Sequence, residues 1–550
     1  MQKRRRRRGL ISRRGLLSGV AASALPAQGC GKLAGVPGEL KGQSLALGHE
    51  LRTATLERAA SGEPERVGIA IVGGGPSGLS AAWRLERLGF RDFVVLELEA
   101  RAGGTAISGN DGVVPHPWGA HYVPVPTRDN PGLVALLDEL GVLEHDAQGQ
   151  VRGQERWLVR EPEERVFADG RWHEGLFPSE LATPADLAEL KRFEAETARL
   201  VAFRDGRGRR AFALPMWASS DDAELTALDR ISAARWLEQR GFASPLLRWY
   251  VEYACRDDYG ASLERTSAWA MLFYFCSRVE SPGQDSASFL SWPEGNGRLV
   301  AHLAGVAGSR LRSHALVTDV RQQGSEVELA VLDARTRRLS RIVASAAILA
   351  TPTFVSARVL RSFRDARPGF LDEFQFAPWW VANVHLKQRP ASKGFPFAWD
   401  NVLYDSPSVG YVVATHQALR DRGPTIWTYY RPMWEREPRE ERQRLLELTQ
   451  ADAAAEVLDD LGRAHRSLHA AVERIDVWRW GHAMVTPAPG FLFGEARKQA
   501  QLPIGAVHFA HSDLSGIPLF EEAQARGVHA AEAALRQLGR EVPDLFGARG

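Results

Sequence analysis

An α/β fold is what this sequence predicts, and three observations carry the prediction. An apolar run from Gly68 to Val72 passes through a glycine turn into a segment of helical periodicity, Pro76 to Leu88. Strand-like and helix-like segments then alternate along the chain. Hydrophobic positions make up 44% of the 550 residues and charged ones 25%, enough for one large core or two interlocked domains, and unlike a disordered chain.

The chain starts with Lys3, Arg4 to Arg8, Arg13 and Arg14 and no acid among its first 29 residues. The formal charge of the whole is +2, so without those eight charges the remainder is mildly acidic and gives no reason to expect a nucleic-acid partner. Ser12-Arg13-Arg14-Gly15-Leu16-Leu17 is followed by a weakly apolar run from Leu16 to Ala27, shorter than a bilayer span. It looks like a twin-arginine export signal over residues 1–30 rather than a basic nucleic-acid arm, and predicts a periplasmic or envelope-anchored protein. Ala27-Gln28-Gly29-Cys30 resembles a lipoprotein cleavage box with Ala where Leu is usual, so one reading has the membrane engaged through a lipid on Cys30. In the other, cleavage near Ala22-Ser23-Ala24 releases a soluble product.

Residues 31–65 lack sustained periodicity and read as a linker. Beyond it, helical periodicity is expected at Gly132 to Leu140, Pro184 to Leu200, Glu440 to Leu461 and Glu521 to Leu538. Strands are expected at Phe93 to Glu97, Val327 to Leu332 and Ala346 to Ala350. No later stretch approaches 18 consecutive apolar residues, and no internal repeat is visible. Apart from Cys30 only Cys255 and Cys276 remain, which read as buried free thiols; no metal-ligating set stands out.

The segment Ile69-Ala70-Ile71-Val72-Gly73-Gly74-Gly75-Pro76-Ser77-Gly78 is a strand, a GxGxxG turn and a helix start. Gly73 permits the tight turn, Gly75 lets backbone amides approach a pyrophosphate, and Gly78 lets the helix pack closely on the strand. The pyrophosphate would sit on the positive helix end at Pro76 and Ser77, where proline's missing N–H costs nothing. The second strand ends in Glu97, placed to accept the ribose hydroxyls and to disfavour a 2′-phosphate.

Glu97-Leu98-Glu99-Ala100-Arg101-Ala102-Gly103-Gly104-Thr105 follows at once. This ExxxRxGG extension resembles that of the flavin-containing amine oxidases and phytoene desaturase-like enzymes. The resemblance recurs in Trp118-Gly119-Ala120-His121-Tyr122, in Pro293 to Leu299 and in Ala346 to Pro352, covering nearly everything after Arg66. It implies FAD, with Arg101 near the phosphates and Gly103, Gly104 and Thr105 alongside the cofactor. It further implies a backbone contact to adenine at Val317, and a ribityl contact at Asp513, or at Ser512 in a neighbouring alignment. The helix after Asp513 would aim its N-terminus at the flavin pyrimidine.

The same resemblance exposes departures. The family's Lys beside flavin N5 aligns with Asn383, Lys387 being offset by four residues, and the family's C-terminal cage Tyr aligns with Leu519. Trp480 and His482 fall where the family strand approaches the flavin, so Asn383, Trp480 and His482 are the candidates around the reacting atoms. Trp427, Tyr429, Tyr430 and Trp478 are further aromatics that could line the site.

The expected architecture is therefore a Rossmann-type FAD-binding domain (66–155, 290–355 and 490–540) interleaved with a mixed α+β substrate-binding domain (156–289 and 356–489). The implied reaction is oxidation of an amine C–N bond by hydride transfer to flavin N5, with oxygen or a respiratory acceptor taking the electrons. Desaturation or isomerisation of an apolar polyene, and a non-catalytic amine-binding flavoprotein, are the alternatives.

Overall fold

The computed structural model describes residues 35–52, 63–281 and 288–547. The export signal and Cys30 lie outside the described residues. Two sheets organise the chain from Val36 onward, which forms one compact unit.

The first is a seven-stranded sheet in the order Leu311–Arg312, Phe93–Leu96, Glu65–Val72, Leu339–Leu349, Glu326–Asp333, Ala315–Gln323, with Val507–Phe509 pairing beside Leu339–Leu349. Phe93–Leu96, Glu65–Val72 and Leu339–Leu349 run parallel, and Val507–Phe509 joins them in the same sense. Ile69, Ala70, Ile71, Val94, Val95, Ile348 and Leu349 are almost wholly buried. Such unbroken apolar runs mark strands covered on both faces. The helices Pro76–Arg87 and Phe520–Gln537 pack against each other over this sheet.

The second sheet has eight strands in the order Leu40–Gly42, Val472–Val485, Phe376–Leu386, Thr425–Pro432, Tyr411–Val413, Asp400–Leu403, Glu164–Ala168, Arg171–Glu174. Phe376–Leu386 is buried at every position, as befits a strand flanked by two long antiparallel neighbours. Among the described residues no helix is long and apolar enough to cross a membrane. Cys255 and Cys276 are buried free thiols.

Two local expectations are corrected. The supposed linker contains a short helix, Leu45–Glu50, and the strand Leu40–Gly42, which runs parallel to Val472–Val485 as an edge of the second sheet. Three residues are too few to display a period of two, and the Glu39 N–H bond to Asp476 that anchors them is long-range. The helix expected from Glu440 to Leu461 is two helices, Pro438–Glu447 and Gln450–Ala464. Thr449 breaks it: its hydroxyl and the Asp452 carboxylate form a reciprocal capping box that starts the second helix afresh.

Candidate functional site

The strand Glu65–Val72 ends at Gly73, whose φ of +102° is open to glycine and strained for other residues. A Cβ on Gly78 would lie 1.9 Å from the Gly73 carbonyl oxygen, so the helix Pro76–Arg87 seats itself only because that position is bare. Gly74 N–H donates to Glu97 Oε2 at 2.7 Å, Glu99 N–H to Glu97 Oε1 at 2.7 Å, and Gly103 N–H to the Gly74 carbonyl at 2.8 Å. Glu97 thus holds the first glycine turn, and the Gly103 bond ties that turn to the second. Burial pushes the Glu97 pKa up, against the pull of its amide donors.

Gly75 and Gly104 face each other without side chains. A Cβ on Gly75 would be 4.0 Å from Gly104 Cα, and one on Gly104 would be 3.4 Å from Gly75 Cα. Between them lies a cradle that side chains would fill. Ser77 Oγ, in the first turn of the helix, is buried with no hydrogen-bond partner. Bare backbone, a helix N-terminus, an orphaned hydroxyl and a strand-end acid together fit the pyrophosphate and ribose of a dinucleotide.

The remaining candidates lie at varying distance from this cradle. Arg101 is exposed and lines a cavity of about 320 Å³ with Ser108, Asn110, Glu294 and Arg298. The Thr105 carbonyl accepts the Ala120 N–H at 3.0 Å, and Gly119 packs so closely that a Cβ would be 2.2 Å from that carbonyl oxygen. Val317 is buried in the core of the first sheet, and the Ala315 N–H bond to the Glu97 carbonyl, 2.8 Å, brings the start of its strand beside Glu97. Ser512, half-buried, opens the turn Ser512–Leu514. The buried Asp513 accepts from Thr353 N–H at 2.9 Å and Thr353 Oγ1–H at 3.1 Å, and its other oxygen lies 2.9 Å from His511 Nδ1. The helix Phe520–Gln537 crosses the first turn of Pro76–Arg87 at Gly527, where a Cβ would be 2.1 Å from the Ser77 carbonyl oxygen. Its own first turn carries Glu521 and Glu522, both buried; burial pushes Glu521 up to about 7.

Asn383 is fully buried with both amide ends engaged. Its Nδ2–H donates to the Pro117 carbonyl at 3.1 Å and its Oδ1 accepts Thr428 Oγ1–H at 2.7 Å, so it ties three segments together. Trp480 and His482 both lie on Val472–Val485, but the pairing with Phe376–Leu386 is irregular between them and they meet different neighbours. Trp480 donates from Nε1 to the Trp118 carbonyl at 2.7 Å. His482 stacks on Phe354 at 4.1 Å, and burial lowers its pKa to about 4, keeping it neutral. Among the other aromatics, Trp427 and Tyr429 point into a core with Tyr411 and Trp172, while Tyr430 and Trp478 join Trp480 and Trp118.

Beside Tyr430 lies a cluster of side chains not anticipated from the sequence. His121 stacks on Tyr430 at 4.8 Å and meets Trp399 at 5.3 Å, and Tyr430 Oη–H donates to the Gly119 carbonyl at 2.9 Å. Trp249, Tyr253 and Asp257 recur every four residues along the helix Pro245–Tyr259 and so share one face. Tyr253 Oη–H donates to Asp400 Oδ2 at 3.2 Å. Asp400 pairs in register with Glu164 on the neighbouring strand. Burial pushes Asp400 up to about 7, and raises Asp257 and Glu164 further with help from the negative charges around them. Asp257, Glu164, Asp400, Tyr122 and Tyr274 are nonetheless only half-buried, the mark of side chains facing an internal recess rather than packed core. One cation stands among them, Arg278, held by both oxygens of Asp258 at 2.7 and 3.0 Å. The helix also carries Arg248, Glu252 and Arg256, so Asp257-Asp258 gave no distinct signal in the sequence.

The architecture and the cradle define a Rossmann-like two-sheet fold. A family model described as an NAD(P)-binding Rossmann-like domain matches residues 71–140. A putative flavin-containing monoamine oxidase, AofH, of Mycobacterium tuberculosis is 29% identical over 184 residues, 33% of this chain and 35% of that protein. The chain thus spans about a third of the length of the curated relatives it matches. Putrescine oxidase bound to putrescine superposes with a TM-score of 0.63 at 19% identity, over 87% of this chain and 100% of that one. Cyclohexylamine oxidase from Brevibacterium oxydans gives 0.61 at 18%, over 86% and 100%. A CLA-producing fatty acid isomerase from P. acnes gives 0.61 at 16%, over 84% and 97%. The chain has the fold of the flavin-containing amine oxidases.

Proposed function

We propose that the protein is an FAD-dependent oxidoreductase that oxidises an amine C–N bond in the recess bounded by His121, Trp399, Tyr430, Asp257 and Asp400. The observation that carries this reading is the pairing of aromatic rings with half-buried carboxylates in a recess adjoining Gly119, next to the glycine turns. Aromatic faces and carboxylates both attract an ammonium group, whereas an apolar polyene would leave the acids unpaired.

Glu97, the two glycine turns and the helix beginning at Pro76 would hold the FAD ribose and pyrophosphate. Bound FAD would supply the hydride acceptor, at N5. The amine enters as a cation and must lose a proton before its α-carbon can give up a hydride. Asp400, poised near neutrality, can accept that proton. The rings of Tyr430, Trp399 and His121 would orient the substrate and exclude water. The product is an imine, which water hydrolyses to a carbonyl compound and a free amine, while oxygen or a respiratory acceptor reoxidises the flavin. Export by the twin-arginine route belongs to the same proposal, because that route suits a protein that folds around its cofactor before crossing the membrane.

Anaerobic flavin absorbance during addition of monoamines, diamines and polyamines, with polyenes for comparison, is the deciding experiment. Bleaching by an amine, with peroxide or acceptor reduction once an oxidant is supplied, is the expected result. A flavin that dithionite reduces and no amine does would overturn the amine reading.

A further inference from the structure

Away from the recess, four side chains from three segments converge at the side of the second sheet. His385 Nε2 lies 3.3 Å from Asp111 Oδ2 and 3.4 Å from Asp476 Oδ2, and His116 Nε2 lies 3.5 Å from Asp111 Oδ2. The donor atoms of Asp111, His385 and Asp476 all fall within 4.8 Å of one another. His116 Nε2, His385 Nε2 and Asp476 Oδ2 are buried without a well-formed hydrogen bond. Their side chains are 0%, 5% and 2% exposed, so water does not satisfy them either. Asp476 Oδ2 also has Arg474 Nη2 at 3.1 Å, but the two imidazole nitrogens are costly to bury unless something joins them there.

We propose that Asp111, His116, His385 and Asp476 form a binding site for a divalent transition-metal cation of the zinc type. Zinc–ligand bonds of about 2.0–2.1 Å in a tetrahedron put neighbouring donors about 3.3 Å apart. The Asp111–His385, His385–Asp476 and Asp111–His116 separations of 3.3, 3.4 and 3.5 Å match that spacing, with Asp111, His385 and Asp476 as the mutually close set and His116 adjoining it at Asp111. Two carboxylates and two neutral imidazoles also balance a double positive charge. The supporting shell is in place. His116 Nδ1 lies 3.2 Å from the Val114 carbonyl, which leaves Nε2 as the free lone pair. Asp476 Oδ1 accepts the Glu39 N–H at 2.9 Å, fixing the carboxylate with Oδ2 turned inward.

The folding of the chain explains why these four meet. His385 stands opposite Arg474 and Asn383 opposite Asp476 on adjacent antiparallel strands, so His385 and Asp476 are diagonal neighbours on one face. Asp111 and His116 come from the hairpin of Ser108–Asn110 and Pro115–Pro117. Gly109 pairs with His116 across it, and a Cβ there would be 2.4 Å from His116 Nε2, so glycine makes room for the ring. A bound cation would pin this hairpin, one wall of the Arg101 cavity, to the second sheet. Asp111, with a side chain 23% exposed, is the way in.

Arg474 is the competitor. Its Nη2 lies 2.8 Å from Asp111 Oδ2 and 3.1 Å from Asp476 Oδ2, yet its side chain is 41% exposed and free to turn outward when a cation arrives. Removing it should strengthen metal binding, whereas a purely internal ion network would merely lose a partner.

The test uses the full chain with its flavin, stripped by chelator, dialysed and titrated with zinc alone, with bound metal read by elemental analysis and stability by thermal melting. Expected are a single zinc ion per chain and a raised melting temperature. Asp111→Asn, on the hairpin loop, should weaken uptake at least about tenfold without unfolding the protein. Arg474→Gln should bind as tightly as the parent or more so. His385→Ala should abolish uptake. If parent and Arg474→Gln both take up no zinc, or if uptake is unchanged in Asp111→Asn and His385→Ala, the proposal is overturned. None of these readouts depends on which substrate the flavin oxidises.

Discussion

The glycine cradle and the acidic recess are built in opposite ways. The cradle lies between Gly73 and Gly104, and most of its contacts join backbone to backbone or backbone to Glu97. The recess draws His121, Glu164, Tyr253, Asp257, Trp399, Asp400 and Tyr430 from stretches hundreds of residues apart, and every contact is made by side chains. A site made of backbone leaves a short, readable spacing of glycines. A site made of side chains exists only once two strands have found their register, as Asp400 and Glu164 do.

If that division is real, damage to one region should leave the other intact. The largest effect is expected of Gly78→Val, because even its Cβ would overlap the Gly73 carbonyl oxygen at 1.9 Å. The variant should purify without flavin, read from the ratio of flavin to protein absorbance. Full flavin occupancy would mean that the turn does not hold the cofactor. Next comes the double change Asp257→Asn and Asp400→Asn, which keeps shape and removes the capacity of both groups to ionise against a bound ammonium. Flavin content should stay at the parental value while the KM for an amine rises about 10- to 100-fold, as expected from losing charged hydrogen bonds worth about 1.5–3 kcal/mol. Unchanged KM would place the amine elsewhere.

The pH response should separate the regions without mutation. Asp400 is pushed up to about 7, mainly by burial. Below that pH the recess is largely protonated and has little attraction for a cation, so amine KM should fall as pH rises through about 7. Folding stability should move the other way. A carboxyl whose pKa is raised by folding binds its proton more tightly in the native state, so its contribution is complete below the ordinary carboxylate range and disappears as pH climbs towards 7. Thermal melting and steady-state kinetics across pH 4–8 would read both trends; a KM flat through neutrality would disconnect these acids from the substrate.

How far the sequence disclosed each region follows from the same contrast. The strand, turn and helix at Glu65–Val72, Gly73 to Gly75 and Pro76–Arg87 were legible because apolar runs, glycines and an N1 proline specify them locally. Glu97 was legible from its distance to Gly73. The strand Leu40–Gly42 was not, since its only reason to exist is an edge of Val472–Val485 far along the chain. Asn383 was recognised by alignment with a flavin-facing position, but alignment does not say what an amide bonds. In the structure it links Pro117 to Thr428. Asp257 and Asp258 looked like ordinary helix charges, and only the packing of their helix against Trp399 and Asp400 turns one into the recess and the other onto Arg278.

The smallest expected effect belongs to the bond that joins the two regions. Tyr430 Oη–H donates to the Gly119 carbonyl at 2.9 Å, and Gly119 in turn presses on Thr105, one residue past Gly104. Tyr430→Phe keeps the ring that stacks on His121 and deletes only this hydroxyl. It should cost about 1 kcal/mol of stability, the usual net worth of one hydrogen bond, and leave flavin content unchanged. If the hydroxyl only supports the fold, the rate of anaerobic flavin reduction by a saturating amine will not move. If it transmits the position of the cradle to the recess, that rate will drop severalfold while KM stays put. The two regions would then act as one site despite being encoded in two different ways.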